Sequence, residues 1–251
     1  PDVVGTALGA VGLALGVYAA TESRWLATIS AVLTLVGFVW WERRRAEPVL
    51  PLRLFGDRRF ALCNIGAVLM NGTSLGMLFV LTLLLQSVQG LTPLRGGLAV
   101  LPLFLPLAVL PPLGGRVVAS WGPLRVAAWA MLVLAAGLAA LVIFGRHTGY
   151  PLMALVLLVW GVGLGMLTPA LVTGAVSSVP PSMSGLASAV NNTARQAGGS
   201  VGTATASAIA GPATADTFVG GFHTAALAMA GMCVLGALAI GIGARGTLST
   251  R

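Results

Sequence analysis

The sequence predicts an all-α, polytopic membrane protein with about eight transmembrane helices, arranged as a helix pair followed by a six-helix bundle. Three observations predict it. Of 251 residues, 57% are hydrophobic and 8% charged, and mean hydropathy is +0.96. A soluble domain carries roughly 25% charge, so 14 basic and 6 acidic residues cannot clothe a soluble fold of this size. The apolar residues collect into eight stretches, each long enough for a bilayer core of about 30 Å, which needs about 20 helical residues. The charges fall between those stretches and are unevenly shared. A collagen, a disulfide scaffold and a disordered chain are excluded: there is no Gly period, there are only 2 Cys, and apolar runs abound.

The first two spans lie near 3–20 and 25–41, within a helix pair at 1–42. Residues 43–59 form an Arg/Pro-rich loop holding six of the 14 Arg. Six further spans follow near 60–86, 96–114, 124–144, 151–176, 185–210 and 221–244. They form a bundle over 60–245 with a short tail, 246–251. The span 185–210 is rich in Ala, Gly, Ser and Thr, and its alternative is a polar surface helix. One charge in 26 residues keeps it among the spans. The chain begins at Pro1 rather than Met, with no basic leader before the first apolar run. It is expected to be a piece of something longer or a gene truncated at its start.

Arginine placement orients the chain. With 43–59 in the cytoplasm, alternating loops put ten Arg there: Arg43, Arg44, Arg45, Arg53, Arg58, Arg59, Arg116, Arg125, Arg245 and Arg251. Arg24, Arg95 and Arg146 fall outside, and Arg195 lies within a span. A cytoplasmic C-terminus and a multi-pass protein of the cell membrane follow. The net charge of +8 is thereby explained as anchoring, and nucleic acid is not an expected partner, because no basic stripe stands in polar surroundings.

The bundle contains a weak echo. Pro93, Gly97, Leu98, Ala99 and Gly114 recur 88 residues later as Pro181, Gly185, Leu186, Ala187 and Gly202. Three helices separate the copies, so the units 60–145 and 150–245 would be inverted repeats, as in secondary transporters. Chance matches in an Ala/Leu/Gly-rich chain are the alternative.

Polar side chains within spans face protein or water. The spans 124–144 and 221–244 are almost purely apolar in their middles and suit lipid. Span 60–86 carries Asn64, Asn71, Ser74 and Gln86, the first three on one helical face. Span 151–176 adds Thr168. Span 185–210 carries Asn191, Arg195 and Gln196. These eight residues are the substrate-cavity candidates. Arg195 stands about 15 Å into its helix, near mid-membrane, where a charge costs at least about 2.5 kcal/mol. It either meets a water-filled pathway or an anionic partner, or it snorkels to the surface and binds helix-end carbonyls.

Pro102 and Pro106 share a face of span 96–114, which also holds Pro111 and Pro112. Kinks or a broken helix are expected there, and a milder bend at Pro169. Each freed carbonyl needs protein or a wet cavity, although a static bend explains each Pro singly. Gly5/Gly9, Gly12/Gly16, Gly72/Gly76, Gly161/Gly165 and Gly198/Gly202 have the spacing of close helix packing. With 34 Gly in 251 residues, roughly five such pairs arise by chance, so they permit close packing and specify no dimer.

Catalytic chemistry is missing. His147 and His223 lie in the outer loops without metal-ligand spacing, and Cys63 and Cys233 are lone thiols in apolar runs, read as core fillers. No nucleotide-binding or hydrolase motif occurs. All six acids lie at span edges, so no mid-membrane proton carrier is visible. No cofactor or metal is expected, and an enzyme is the least favoured class.

Several motifs carry a resemblance. GGRVVASWGPLR, from Gly114 to Arg125, resembles the cytoplasmic helix-pair loop of the major facilitator superfamily in a degenerate second-half form. Ala119 and Ser120 replace its usual acid and base, which puts a charge latch there in doubt, while Gly115, Gly122 and Arg125 remain. EPVLPLRLFGDRRF, GLTPLRGGLAVLPL and SGLASAVNNTARQAGGSVG together resemble the fourteen-helix drug:proton antiporter branch (EmrB/QacA-like) over essentially the whole chain. The resemblance implies the C-terminal part of a proton-coupled exporter of drugs or small amphipathic metabolites working by alternating access. Its partners would be a small-molecule substrate, protons, the lipid bilayer and a missing N-terminal six-helix half, which holds the family's proton-handling acids. Spans 60–86, 96–114, 151–176 and 185–210 would line the cavity, with Gly115, Gly122, Arg125, Pro102, Pro106 and Pro169 as loop and hinge candidates. A non-transporting membrane subunit or truncated remnant is the alternative.

Overall fold

The computed structural model describes residues 3–22, 25–44, 52–214 and 216–246. Among them are nine α-helices and no strand. They are α1 (Val3–Glu22), α2 (Trp25–Arg44), α3 (Arg58–Leu83), α4 (Pro93–Ala99), α5 (Leu101–Trp121), α6 (Pro123–Ala140), α7 (Tyr150–Val176), α8 (Ser184–Ala210) and α9 (Phe218–Gly246).

The helix starts follow from local chemistry. Asp57 caps α3: its Oδ1 accepts the Phe60 N–H at 2.9 Å. Helices α4, α5, α6 and α7 each carry Pro in the first turn, where the missing N–H has no ladder partner to lose. The α5–α6 connection is the single residue Gly122, with φ +84°. Most of GGRVVASWGPLR is therefore helix, and the resemblance's loop contracts to one tight turn.

The expected break in the fourth hydrophobic stretch falls at Pro102 and not at the later prolines. The chain turns at Val100, between α4 and α5, and Pro102 opens α5. Pro106, Pro111 and Pro112 lie inside a helix that continues through all three. An isolated helix would be interrupted by such prolines. Here Pro106 is buried and packs against α7, which holds the segment in place.

Five segments are long and apolar enough to cross a membrane: Arg58–Val88, Leu101–Trp121, Pro123–Ile143, Tyr150–Val176 and Phe218–Ala244. Helix α8 has 27 residues, about 40 Å of helix, but its Ser, Thr, Asn and Gln keep it out of that set. Helices α1 and α2 hold shorter apolar segments, Ala7–Gly16 and Ile29–Trp41. They pack on each other, and α1 touches α8.

The order of contacts gives the helix directions. A Cβ on Gly72 or Gly76 of α3 would strike Gly198 or Gly202 of α8, so these two helices run parallel. Gly161 meets Leu103, Gly165 meets Pro106 and Gly114 meets Pro169, so α5 and α7 also run parallel. Gly137 against Trp160 and Gly163 against Leu134 make α6 and α7 antiparallel. Helix α9 runs antiparallel to both α3 and α6. The chain therefore reverses direction five times across the six segments from α3 to α9, counting α4 with α5. The starts of α3, α6 and α8 share one end of the bundle with the close of α5, α7 and α9. Arg58, Arg59, Arg116 and Arg125 gather at that end, and Arg95 and Arg146 stand at the other.

Helix α3 is central, touching α7, α8 and α9. Trp160, Phe60, Phe144, Phe218 and Phe222 are fully buried large side chains of the core. Two helices stay conspicuously uncovered. Helix α5 buries only Leu103, Pro106, Gly114 and Val118. Helix α8 buries a stripe of Ala187, Asn191, Gly198, Gly199, Gly202, Ala206 and Ala210 against its neighbours and leaves Ser188, Asn192, Thr193 and Gln196 exposed.

Candidate functional site

The polar residues of the spans divide into buried links and an open edge. Asn64 and Asn191 form the first link, between α3 and α8. The Asn64 Nδ2 donates to the Phe60 carbonyl at 2.9 Å. That leaves Asn64 Oδ1 to accept from Asn191 Nδ2 at 3.4 Å, which also reaches the Cys63 carbonyl at 3.5 Å. Both asparagines are buried, and Asn191 Oδ1 has no hydrogen-bond partner.

Ser74 forms the second link, accepting from Trp160 Nε1 at 3.3 Å across α3 and α7. The sequence offered no sign of Trp160 as a partner, because an indole within an apolar run reads as filler. Its N–H needs an acceptor once buried, and Ser74 supplies one. Thr168 donates to its own helix at Leu164 O, 3.0 Å away, and its hydroxyl lies 3.6 Å from Met70 Sδ.

The open edge lies on α8. Arg195 is half-buried. Its Nη2 donates to Asn192 Oδ1 at 3.1 Å, while its Nε is buried with no hydrogen-bond partner. Gln196 is exposed beside it. Asn71 is half-buried, one helical step from the α3·α8 crossing, with its Nδ2 close to Gly199. Gln86 stands apart, in the π-helical turn Leu84–Val88, under Gly96 of α4. From Asn64 to Gln86 the chain rises about 33 Å, so the candidates are spread along the bundle rather than gathered in one pocket.

The hinge candidates are equally divided. Pro106 and Pro169 sit in the α5·α7 contact, where Pro169 Cγ stands 2.9 Å from a Cβ placed on Gly114. Gly115 lies within α5 with open space around it. Arg125 is exposed at the start of α6. Ser120 turns back to bond the Val117 carbonyl at 3.0 Å. Among the described residues no group of three or more His, Cys, Asp or Glu is placed to hold a metal.

A long helical bundle with two Gly-mediated parallel crossings and polar residues inside its spans invites comparison with membrane transporters. The family model of the Major Facilitator Superfamily matches residues 2–203. The chain belongs to the major facilitator superfamily.

Its curated relatives include resistance and export proteins. The tetracenomycin C resistance and export protein of Streptomyces glaucescens is 31% identical over 189 residues, 75% of this chain and 35% of that protein. Multidrug resistance protein Stp of Mycobacterium tuberculosis is 32% identical over 178 residues, 71% of this chain and 32% of Stp. Puromycin resistance protein pur8 of Streptomyces alboniger is 34% identical over 231 residues, 85% of this chain and 45% of pur8. The chain thus spans between about a third and under a half of these relatives. Membership in the major facilitator superfamily makes this a multi-pass membrane protein of a transporter family, not an enzyme.

Proposed function

We propose that this chain forms the C-terminal part of a secondary transporter that exports drugs or small amphipathic metabolites by alternating access, in exchange for protons. The observation that carries the reading is the uncovered polar edge of α8. Asn192, Thr193 and Gln196 are exposed beside a half-buried Arg195, at a depth where lipid cannot satisfy hydrogen-bonding groups. Such a face requires water or protein, and a transport pathway offers both. The names of the relatives support the export of drugs.

On this reading the bundle is two inverted three-helix units, 60–145 and 150–245. The pairing supports it: α3 with α8 and α7 with α5 are parallel crossings built on glycine, each joining the first helix of one unit to the second of the other. The remaining six helices of the transporter would cover the polar edge of α8, and the helix pair 1–42 would precede the bundle. The Arg-rich end, where α9 closes, would face the cytoplasm.

Dye efflux from vesicles carrying the complete reading frame tests the proposal. Efflux that requires an imposed proton gradient is expected. Efflux unaffected by collapsing the gradient would remove proton coupling, and no efflux at all would favour a non-transporting subunit. Asp57 caps a helix at the bundle's end, Asp216 lies between α8 and α9, and Glu22 and Glu42 lie in the last turns of α1 and α2, so none is placed for a mid-membrane relay. A coupling acid would have to come from outside the described residues.

A further inference from the structure

The turn at Val100 separates α4 from α5 and leaves a cleft against the start of α7. Its upper part, about 380 Å³, is lined by Gln89, Arg95, Leu98, Thr148, Tyr150 and Met153. A lower part of about 510 Å³ is walled by Leu98, Leu101, Phe104, Leu105, Tyr150 and Leu158. Leu98 and Tyr150 line both, so the two meet there.

The chemistry changes along the cleft. At the rim, Gln89 Nε2 donates to the Gly145 carbonyl at 2.7 Å, and Thr148 Oγ1 donates to the Ile143 carbonyl at 3.1 Å. Those bonds engage the neutral polar groups of the rim. Arg95 is exposed and forms no ion pair among the described residues, so its guanidinium is the charge on offer. Below the rim the walls are apolar and uncovered: Leu98 is 52% exposed, Leu105 60% and Tyr150 53%. Along α7 from Tyr150 to Leu158 the wall runs about 12 Å, enough for the first half of an acyl chain. Tyr150 sits where polar turns give way to apolar helix, the position that suits an amphipathic ring at a membrane interface.

We propose that this cleft binds one anionic phospholipid, with its phosphate on Arg95 and one acyl chain along Leu98, Leu105 and Leu158. Lipid is the solvent of the exposed apolar faces of a membrane bundle. Each basic side chain near an anionic membrane surface is attracted to it by about five-fold. The turn at Val100 creates the room, and the rim's internal hydrogen bonds keep it open. The inference depends on the membrane fold alone and stands whether or not the protein transports drugs.

The test is native mass spectrometry of the complete protein, released from vesicles of phosphatidylcholine and phosphatidylglycerol. One retained phosphatidylglycerol per protein is expected, enriched about five-fold over its share of the vesicle. Arg95→Gln should remove the enrichment, and Leu98→Trp, which fills the cleft, should remove the bound lipid. Arg116→Gln, at the opposite end of α5, should change neither. The proposal is overturned if Arg95→Gln retains the enrichment, if Arg116→Gln loses it equally, or if excess inorganic phosphate displaces the lipid. Arg95 is exposed, so its variant folds independently of how Leu98→Trp behaves.

Discussion

Gly202 of α8 rests directly on the backbone of Gly72 in α3. A side chain at position 202 would overlap the Gly72 carbonyl, and one at Gly76 would stand 2.5 Å from the Gly202 carbonyl oxygen. Without a hydrophobic driving force in lipid, helices associate through such close backbone approach. Gly202→Val should therefore lower the thermal stability of the purified protein by at least about 1–3 kcal/mol, the usual cost of overpacking. Gly231, with open space around it, supplies the control as Gly231→Ala. Equal melting of the two variants would show that the crossing does not carry the bundle.

The contact between α3 and α7 includes one hydrogen bond between side chains. Trp160 donates to Ser74 at 3.3 Å in the middle of the α3·α7 contact. Trp160→Phe and Ser74→Ala should each destabilise, and a double-mutant cycle should give a coupling of about 0.6 kcal/mol, as for other bonds between membrane helices. Strict additivity of the two losses would mean that the bond contributes nothing.

Much of the architecture was legible because a bilayer leaves few choices. Apolar length located the five membrane-length segments, and the ends of α3, α7 and α9 fall within a few residues of the hydropathy limits, whereas 185–210, kept among the spans for its single charge, is a 27-residue helix too polar for that set. What was not legible depended on partners distant in sequence. Pro106 reads as a helix breaker until Gly161 of α7 is seen packed against it, and the real break at Val100 has no sequence mark beyond Pro102 two residues on. The Gly pairs are too common in this composition to stand out. Of the five, Gly72/Gly76, Gly161/Gly165 and Gly198/Gly202 meet backbone of another helix. Among the polar candidates, periodicity put Asn64, Asn71 and Ser74 on one face, but it could not separate Asn64, bonded to Asn191, from Asn71, which stays half-buried.

The turn at Gly122 makes a sharper prediction than its glycine neighbours. Its φ of +84° and ψ of 147° form a backbone conformation that side chains disfavour. Gly122→Ala should cost about 1–3 kcal/mol even though a Cβ there meets nothing within 4 Å. Gly115→Ala, in the helical run of α5 with equally open space, should be neutral or gain up to about 1 kcal/mol. Melting curves of the two variants decide it: if both melt alike, backbone conformation is not what the turn requires of glycine.

Arg195 separates the demands of folding from those of transport. It lies in α8 with its Nε buried and unbonded, and its one hydrogen bond goes to the exposed Asn192. A charge so placed is costly, at least about 2.5 kcal/mol at mid-membrane, and among the described residues its hydrogen-bond acceptor is neutral. If the residue serves packing, Arg195→Gln should destabilise. If it serves the pathway, the variant should insert and melt at or above the parent temperature while efflux by the complete protein falls at least several-fold. Melting and efflux measured on the same preparation distinguish the two. Lower stability with proportionate loss of efflux would assign Arg195 to structure, whereas retained stability with lost efflux would place it in the translocation path.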